Sequence, residues 1–219
     1  MRKVELATGE IYHIYNRGTD KRNIFSQPVD LGRFLQSVRE FNNVEPIGSL
    51  YLNNFFQTSK SKKPKKLESL VKIIGFCLNP NHYHLILEQM VDNGISKFMQ
   101  KLGTGYTNYF NAKHERTGVL FQGKFKSAHI IDDETLLRLS VYVNLNHQLH
   151  QLRSRTSQYP KLTKSSWELY VGTVKTNYSW CQPNEVLRQF KNKAEYKKFA
   201  EDLFPILLEQ KERERKLSD

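Results

Sequence analysis

Two histidines separated by one residue are the first candidates for chemistry in this chain. His82 and His84 follow an apolar run and the turn-forming residues Asn79-Pro80-Asn81, which together predict the corner of a hairpin. Because strand side chains alternate between faces, both imidazoles are expected on the same side of a sheet. Such a pair can supply half of a divalent-metal site. The same spacing also fits two ordinary histidines that face solvent or bond within the core.

A second pair of candidates lies on a helix that is predicted to open at Asp132. Tyr142 and Asn146 are four residues apart and therefore share a helix face. The carbonyl oxygen of Asn146 is a hard ligand that could join the histidines around a metal ion. The Tyr142 hydroxyl could then attack a metal-bound phosphate and form a phosphotyrosine. Spacing alone favours a simpler alternative, an interior tyrosine and an asparagine that caps the helix.

The charge of the chain indicates a polyanionic partner. The 219 residues carry 34 Lys and Arg against 22 Asp and Glu, a formal net charge of +12. Nucleic acid is the first candidate for such a surplus, and a basic surface without a partner is the alternative. The hydrophobic fraction of 38% is sufficient for a packed core, which argues against disorder throughout.

The cysteines and the apolar segments bear on the compartment. Cys77 and Cys181 form no CxxC pattern, so neither a disulfide framework nor a structural zinc site is indicated. No apolar run approaches the length of a membrane span, and the N-terminus lacks a signal-peptide core. We therefore expect a cytoplasmic protein with no membrane association.

The hydrophobic patterns predict an α+β fold. Alternating or apolar runs predict strands, and apolar residues at helical spacing predict helices. The predicted strands are Ile11–Arg17, Val71–Leu78, His82–Glu88 and Lys124–Ile130, and the predicted helices are Val29–Asn42, Ile95–His114 and the one from Asp132. The order strand–helix–strand–strand–helix–strand is that of a ferredoxin-like or RRM-like antiparallel sheet with helices on one side, followed here by an added helix.

Two further segments were interpreted from composition. The lysine-rich residues 57–66 are expected to form a surface loop that could contact a phosphate backbone. The helical segments Asn184–Phe190 and Ala194–Leu207 form a C-terminal extension, and the charged residues 209–219 are expected to fray. We therefore divide the chain into residues 1–155 and an extension, 156–219, that either contacts DNA or only packs.

Four segments in order make the chain recognisable. They are Tyr12–Gly18, Cys77–Leu85, Arg116–Ser127 and Tyr142–Asn146. Together they resemble the single-tyrosine HUH transposases, specifically the REP-associated tyrosine transposases and their IS200-like relatives. The resemblance covers approximately residues 8–150, and it makes 1–155 the expected catalytic domain.

The resemblance implies a DNA transposase that cuts single-stranded DNA beside a hairpin. Such enzymes hold the 5′ phosphate on a tyrosine, leave a free 3′ hydroxyl, and rejoin strands without an external energy source. By position, His82, His84 and Asn146 would bind Mg²⁺ or Mn²⁺, and Tyr142 would be the nucleophile. The family commonly has proline after the helix asparagine, whereas His147 follows here, so His147 is the alternative third ligand. The protein is expected to act as a monomer or as a homodimer, since some relatives exchange the tyrosine helix between subunits.

Basic side chains near the predicted site could line a groove for single-stranded DNA. The candidates are Arg17, Lys21, Arg22, Lys113, Arg116, Lys124 and Lys126, with Tyr106, Tyr109 and Phe121 available for base stacking. Two alternative functions remain at this stage, a non-catalytic RRM-like module that binds single-stranded nucleic acid and a replication-initiator HUH nuclease. An RRM-like module would carry exposed aromatics on its central strands, where this chain has His82 and His84.

Overall fold

The protein is an α+β structure, seen here in a computed structural model that describes residues 5–45, 68–151, 159–172 and 178–216. The lysine-rich segment 57–66 lies outside these ranges. The strands are β1 (Ile11–Arg17), β2 (Val71–Asn79), β3 (His82–Gln89), β4 (Lys126–Ile130) and β5 (Lys164–Ser165). The helices are α1 (Pro28–Phe41), α2 (Gly94–Lys113), α3 (Asp133–Gln151), α4 (Trp167–Val171), α5 (Asn184–Leu187) and α6 (Lys193–Lys216).

The strands pair in the order β4-β1-β3-β2-β5, and neighbouring strands are antiparallel. The first four strands and two helices follow the predicted order, so the ferredoxin-like α+β fold is confirmed. β2 and β3 form the predicted hairpin across Pro80 and Asn81. β5 adds a short edge strand from beyond residue 155, so the extension continues the same sheet.

Separate apolar cores cover the two faces of the sheet. α1 and α2 pack on one face, with buried residues that include Phe34, Phe98, Tyr106, Ile14 and Leu85. α3 and α6 pack on the opposite face, with buried residues that include Val141, Leu145, Tyr196, Ile74 and Ile86. The prediction of helices on one side therefore holds for α1 and α2, whereas α3 and α6 cover the side that carries the histidine pair. β2 permits this because adjacent residues such as Ile73 and Ile74 are both apolar and face opposite cores.

Local sequence explains where the helices of the first core begin and how closely they pack. α1 begins at Pro28, a residue that a first helical turn tolerates, and Gln27 and Asp30 form a capping box around that turn. α2 runs without interruption through Gly103-Thr104-Gly105, where the sequence allowed a kink. A Cβ atom at Gly105 would lie 2.6 Å from the ring of Phe41, so this glycine permits close packing of α2 on α1.

Two boundaries differ from the sequence prediction. β4 begins at Lys126 rather than Lys124, because the preceding residues form a loop that pairs with the end of β1 through Gly18 and Phe121. α6 continues to Lys216, so the segment that was expected to fray is largely helical. Within the described residues, no helix is both long and apolar enough to cross a membrane.

Candidate active site

The pairing of β1, β2 and β3 builds the floor of the candidate site. His82 lies opposite Arg17 on β1 and opposite Asn79 on β2, while His84 lies opposite Tyr15. Directly opposed residues of antiparallel strands project from the same face. All five side chains therefore share the face that α3 covers, and the same-face prediction for the histidines is confirmed.

α3 brings the second pair of candidates over this floor. Its first turn is capped by Asp132, whose Oδ1 accepts the Thr135 N–H at 2.6 Å. Val141, Val143 and Leu145 are buried in the core that α3 shares with the sheet and α6. The position of α3 is therefore set by apolar burial on both sides of Tyr142.

Asn144 fixes α3 relative to its neighbours. Its Oδ1 accepts the Ser166 hydroxyl at 2.6 Å, and its Nδ2 donates to the Tyr196 hydroxyl at 3.0 Å. Ser166 Oγ in turn accepts the backbone N–H of Phe76 at 2.9 Å. One buried side chain thus ties α3 to the sheet, to the segment after β5 and to α6.

Asn146 reaches the first histidine of the pair. Asn146 Oδ1 lies 3.2 Å from His82 Nε2. The amide nitrogen of Asn79 contacts both atoms: it donates to Asn146 Oδ1 at 2.9 Å and lies 3.0 Å from His82 Nε2. His82 Nδ1 lies 2.6 Å from Asn81 Oδ1, so the tautomer with the proton on Nδ1 satisfies both ring nitrogens. In that tautomer His82 Nε2 and Asn146 Oδ1 both face the Asn79 amide as acceptors.

This arrangement passes a test of fit for a divalent ion. Adjacent ligands of an octahedral ion at about 2.1 Å lie about 3.0 Å apart, close to the 3.2 Å between His82 Nε2 and Asn146 Oδ1. Asn146 is fully buried, and its Nδ2 has no hydrogen-bond partner among the described residues, so the amide is hydrogen-bonded only through its oxygen. The described ranges hold no group of three or more His, Cys, Asp or Glu suited to a metal. The candidate set is therefore two imidazoles and an amide oxygen.

His13 on β1 is a site residue that the sequence analysis did not identify. Its Nε2 lies 2.9 Å from His84 Nδ1, and the two rings stack with centroids 5.1 Å apart. A hydrogen bond at one ring nitrogen fixes the orientation of a metal-binding histidine and leaves the other nitrogen as the ligand atom. The alternation of β1 indicates that His13 shares a face with Tyr15 and Arg17, but its diagonal contact with His84 depends on strand register.

Burial keeps His82 and His13 neutral at physiological pH. Burial lowers the pKa of His82 to about 4, and the charges of Lys211 and Arg17 add to the lowering while a hydrogen bond with Asn146 opposes it. Burial and the charge of Lys211 lower the pKa of His13 to about 4 as well. At neutral pH both rings therefore carry a nitrogen lone pair that can bind a metal or accept a hydrogen bond.

Tyr142 lies between the histidines and α6. Its ring meets the His84 ring edge-on, with centroids 5.5 Å apart, and the His13 ring at 6.3 Å. On the other side, the Nζ of Lys211 donates to the Tyr142 hydroxyl at 2.5 Å. The candidate nucleophile is thus held between two imidazole rings and the Nζ of Lys211.

The choice between Asn146 and His147 follows from the helix geometry. Asn146 faces His82, whereas His147 contacts Cys77 through its backbone N–H and has a buried Nδ1 without a partner among the described residues. Residues four apart share a helix face more closely than residues five apart. The geometry therefore favours Asn146 as the residue that accompanies Tyr142.

A cavity of about 550 Å³ opens over the histidines and Tyr142, and some of the predicted cations line it. Arg17, Lys21, Lys126 and Lys211 contribute to its wall. The first three were predicted from the sequence, and Lys211 was not. Four cations around a small cavity create a strongly positive site that suits a phosphate group.

The other predicted cations lie elsewhere. Lys113 pairs with the buried Asp30 at 2.8 Å, and Arg116 donates to Asn111 at 2.6 Å. Arg22 pairs with Asp20 at the surface, and Lys124 lines a separate cavity of about 620 Å³. These four side chains are not brought to the cavity over Tyr142, because their partners or their positions in loops direct them away from it.

Two of the three aromatic residues considered for base stacking are occupied within the fold. Tyr106 is fully buried, and its hydroxyl donates to the Ile24 carbonyl. The Tyr109 hydroxyl donates to Asp30 at 3.2 Å. Phe121 lies beside the neighbouring cavity and is partly buried, as Tyr109 is.

Comparison with known proteins bears on the family. Residues 53–146 match the family model described as "Transposase IS200 like". Over this segment the chain is similar to the IS200-like transposases. The matched segment contains the histidine pair, Tyr142 and Asn146, so the family and the geometry single out the same region of the chain.

A solved structure shares the architecture of this chain. The REP-associated tyrosine transposase bound to a REP hairpin is similar to the chain with a TM-score of 0.50 and 14% identity. The similarity covers 83% of this chain and 96% of that one, and at this identity it shows a shared fold. No curated protein matches the chain significantly. The IS200-like family and this fold together support the resemblance seen in the sequence.

Proposed function

We propose that this protein is an IS200-like transposase that cleaves and rejoins single-stranded DNA beside a hairpin. Tyr142 is the proposed nucleophile, and His82, His84 and Asn146 are the proposed ligands of Mg²⁺ or Mn²⁺. The observation that carries the proposal is the convergence of both pairs, from a strand and from a helix, beneath one basic cavity. Sequence spacing alone did not require that the two pairs meet.

The donor set supports a hard or borderline divalent ion. Imidazole nitrogens accept manganese as readily as magnesium, and the amide oxygen suits both. A bound ion would polarise the phosphoryl oxygens of the scissile phosphate and stabilise the departing oxygen. The hydrogen bond that His82 Nδ1–H donates to Asn81 Oδ1 and the bond between His84 Nδ1 and His13 Nε2 hold the two rings in the orientation that such binding needs.

The tyrosine supports covalent chemistry rather than direct hydrolysis. Attack by the Tyr142 hydroxyl forms a bond between Oη and phosphorus and breaks the bond from phosphorus to the 3′ oxygen, which takes up the tyrosine proton. Because the phosphodiester energy is kept in the phosphotyrosine, a 3′ hydroxyl can reverse the step and join a new strand. The same residues therefore serve both cleavage and rejoining.

The cations support binding of the phosphate backbone. Arg17 and Lys126 lie on neighbouring strands at the sheet edge, and Lys21 follows β1 in the adjoining loop. Their side chains surround the cavity above Tyr142, so a strand that crosses this edge presents its phosphate to the hydroxyl. The similarity to a transposase bound to a REP hairpin supports a hairpin as the structured part of the substrate.

The test is formation of a protein–DNA adduct. The protein is incubated with a hairpin-bearing single-stranded oligonucleotide and Mn²⁺ or Mg²⁺, and adducts are separated on a denaturing gel. We expect a band that carries a 3′ label, depends on the ion and disappears in Tyr142→Phe, while a 5′ label is released on a free strand. Tyr15→Phe is the matched control, because Tyr15 lines the same cavity but lies on β1.

The outcome separates the proposal from its alternatives. An adduct that persists in Tyr142→Phe would assign the nucleophile elsewhere. Tight binding of the oligonucleotide without any adduct, across ions and substrates, would favour a non-catalytic module with the same fold. A replication-initiator role is distinguished by the substrate, because such an enzyme would cut an origin strand and would not join two element ends.

A further inference from the structure

The C-terminal helix delivers a lysine to the hydroxyl of the proposed nucleophile. Lys211 on α6 donates to Tyr142 Oη at 2.5 Å, and its Nζ lies 4.4 Å from the centre of the Tyr142 ring. It is half-buried and lines the cavity that holds His82 and His84. Lys211 lies far outside the segment that matches the family, which ends at residue 146.

The contact follows from how α6 is anchored. Tyr196, Ala200 and Leu203 are buried against α3 and the sheet. The Tyr196 hydroxyl bonds with Asn144 Nδ2 at 3.0 Å and with Ser140 Oγ at 3.1 Å, both on α3. The helix that carries Lys211 is therefore locked to the helix that carries Tyr142.

Lys211 differs from the other cations of the cavity. Arg17, Lys21 and Lys126 come from β1, its following loop and β4, and they surround the space where a phosphate would lie. Lys211 instead contacts the atom that would form the new bond to phosphorus. Its charge also reaches the floor of the site, since it adds to the effect of burial on the pKa of His82 and His13.

We propose that Lys211 is a catalytic residue that stabilises negative charge on Tyr142 Oη in both directions of the reaction. This inference rests on the proposed function of Tyr142. During cleavage, Oη bonds to phosphorus and its proton passes to the departing 3′ oxygen. During rejoining, the 3′ oxygen bonds to phosphorus and its proton passes to Oη. Lys211 keeps its own proton throughout and donates a charge-assisted hydrogen bond to Oη as that atom gains negative charge.

The expected effect is on the chemical step. Loss of one charge-assisted donor at a developing oxyanion lowers the rate by about 10- to 100-fold. The effect should be similar for cleavage and rejoining, because both pass through the same transition state. Affinity for DNA should change much less, since three other cations line the cavity.

The test uses single-turnover kinetics of the full chain with saturating hairpin oligonucleotide and Mn²⁺. Lys211→Met keeps the aliphatic stem and removes the charge, and Lys211→Arg keeps the charge. The matched control is Lys197→Met on the same helix, where Lys197 pairs with Glu201 at 3.7 Å. We expect Lys211→Met to slow adduct formation and rejoining by about 10- to 100-fold, Lys211→Arg to recover part of the rate, and Lys197→Met to match the wild type.

A substrate with sulfur in place of the bridging 3′ oxygen separates a role at Oη from a role at the leaving group. A 3′ thiolate leaves without assistance, so a lysine that serves the leaving group becomes dispensable on this substrate. We expect the Lys211→Met defect to persist there. Disappearance of the defect would mean that Lys211 acts on the departing 3′ oxygen, and it would overturn the inference.

Other outcomes also decide between explanations. A faster reaction in Lys211→Met would mean that α6 blocks Tyr142, which contradicts the inference. An unchanged rate in Lys211→Met, with Tyr142→Phe inactive, would refute the role of Lys211 and leave the proposed function intact. Absence of an adduct in the wild type would refute both. Thermal denaturation of each variant shows whether a rate change follows from loss of folding.

Discussion

Asn146 and Asn144 should respond to truncation in opposite ways, although they lie two residues apart on α3 and are both buried. Asn146 Oδ1 accepts one hydrogen bond, from Asn79 at 2.9 Å, and its Nδ2 has no partner among the described residues. Asn144 uses both ends of its amide, toward Ser166 and Tyr196. On the proposed function the Asn146 side chain binds the metal ion, whereas the Asn144 side chain holds the fold together.

The stability of the metal-free protein should therefore depend little on Asn146. Asn146→Ala removes one hydrogen bond, worth about 1 kcal/mol, and also removes a buried unsatisfied amide that costs about 1 to 3 kcal/mol. These terms offset, so we expect the free energy of unfolding to change by less than about 1 kcal/mol. Asn144→Ala leaves the hydroxyls of Ser166 and Tyr196 each short of a partner, and we expect a loss of about 2 to 3 kcal/mol.

The affinity for a divalent ion should show the reverse pattern. Removal of residues that only support a metal ligand lowers affinity by about 10- to 100-fold, so loss of the Asn146 oxygen should cost at least about tenfold, or about 1.4 kcal/mol. Asn144→Ala should bind the ion as the wild type does, provided that it is assayed well below its unfolding midpoint.

Two measurements on the same preparations test this pair of variants. Urea unfolding followed by circular dichroism gives the stability of the metal-free proteins, and titration calorimetry with Mn²⁺ gives the affinity. The reasoning is refuted if Asn146→Ala binds Mn²⁺ as tightly as the wild type. It is also refuted if Asn146→Ala loses as much stability as Asn144→Ala.

Further predictions concern the fold and the DNA-binding surface. Burial of Asp30 acts to raise its pKa, but hydrogen bonds from a lysine, a histidine and two backbone amides outweigh burial and lower the pKa from its usual 3.8. Asp30→Asn should therefore lower the free energy of unfolding by about 2 to 4 kcal/mol at pH 7, measured by urea unfolding. The difference in stability from the wild type should shrink as the pH falls below 3.8, because the wild-type carboxylate then becomes protonated. Gly105→Ala should destabilise by about 1 to 3 kcal/mol because the new methyl group meets an aromatic ring of α1, whereas Gly103→Ala, with open space around it, should raise the thermal midpoint. Lys126→Gln should make the slope of log K for single-strand binding against log salt concentration shallower by about 0.7. An unchanged slope would exclude a phosphate contact at Lys126. The matched control is Lys164→Gln on the opposite edge strand, which should leave the slope unchanged.

Short-range periodicity accounts for most of what the sequence could predict. The two-residue period of a strand placed His82 and His84 on one face, and the helical period placed Tyr142 and Asn146 on another. Both intervals depend only on neighbouring residues, so no tertiary information was needed. That the two pairs meet was an expectation from the family resemblance, because spacing carries no information on how α3 crosses the sheet.

Contacts that depend on register or on helix docking were not predictable in the same way. His13 was visible as an alternating residue of β1, but its neighbour His84 is set by the pairing of β1 with β3. Lys211 lies in a charged segment without an apolar stripe, a pattern typical of a fraying end. Its position follows from the burial of Tyr196 at the other end of α6, and no pattern around residue 211 reveals that anchor.

The central claim is that Tyr142 carries the DNA through a 5′ phosphate. The most direct measurement is mass spectrometry of the adduct, formed with a hairpin oligonucleotide and Mn²⁺ and digested with a protease and a nuclease. We predict a single modified peptide that contains Tyr142, with the mass of a nucleotide joined through its 5′ phosphate. A modified peptide that instead contains Tyr15, or an attachment through a 3′ phosphate, would contradict the account.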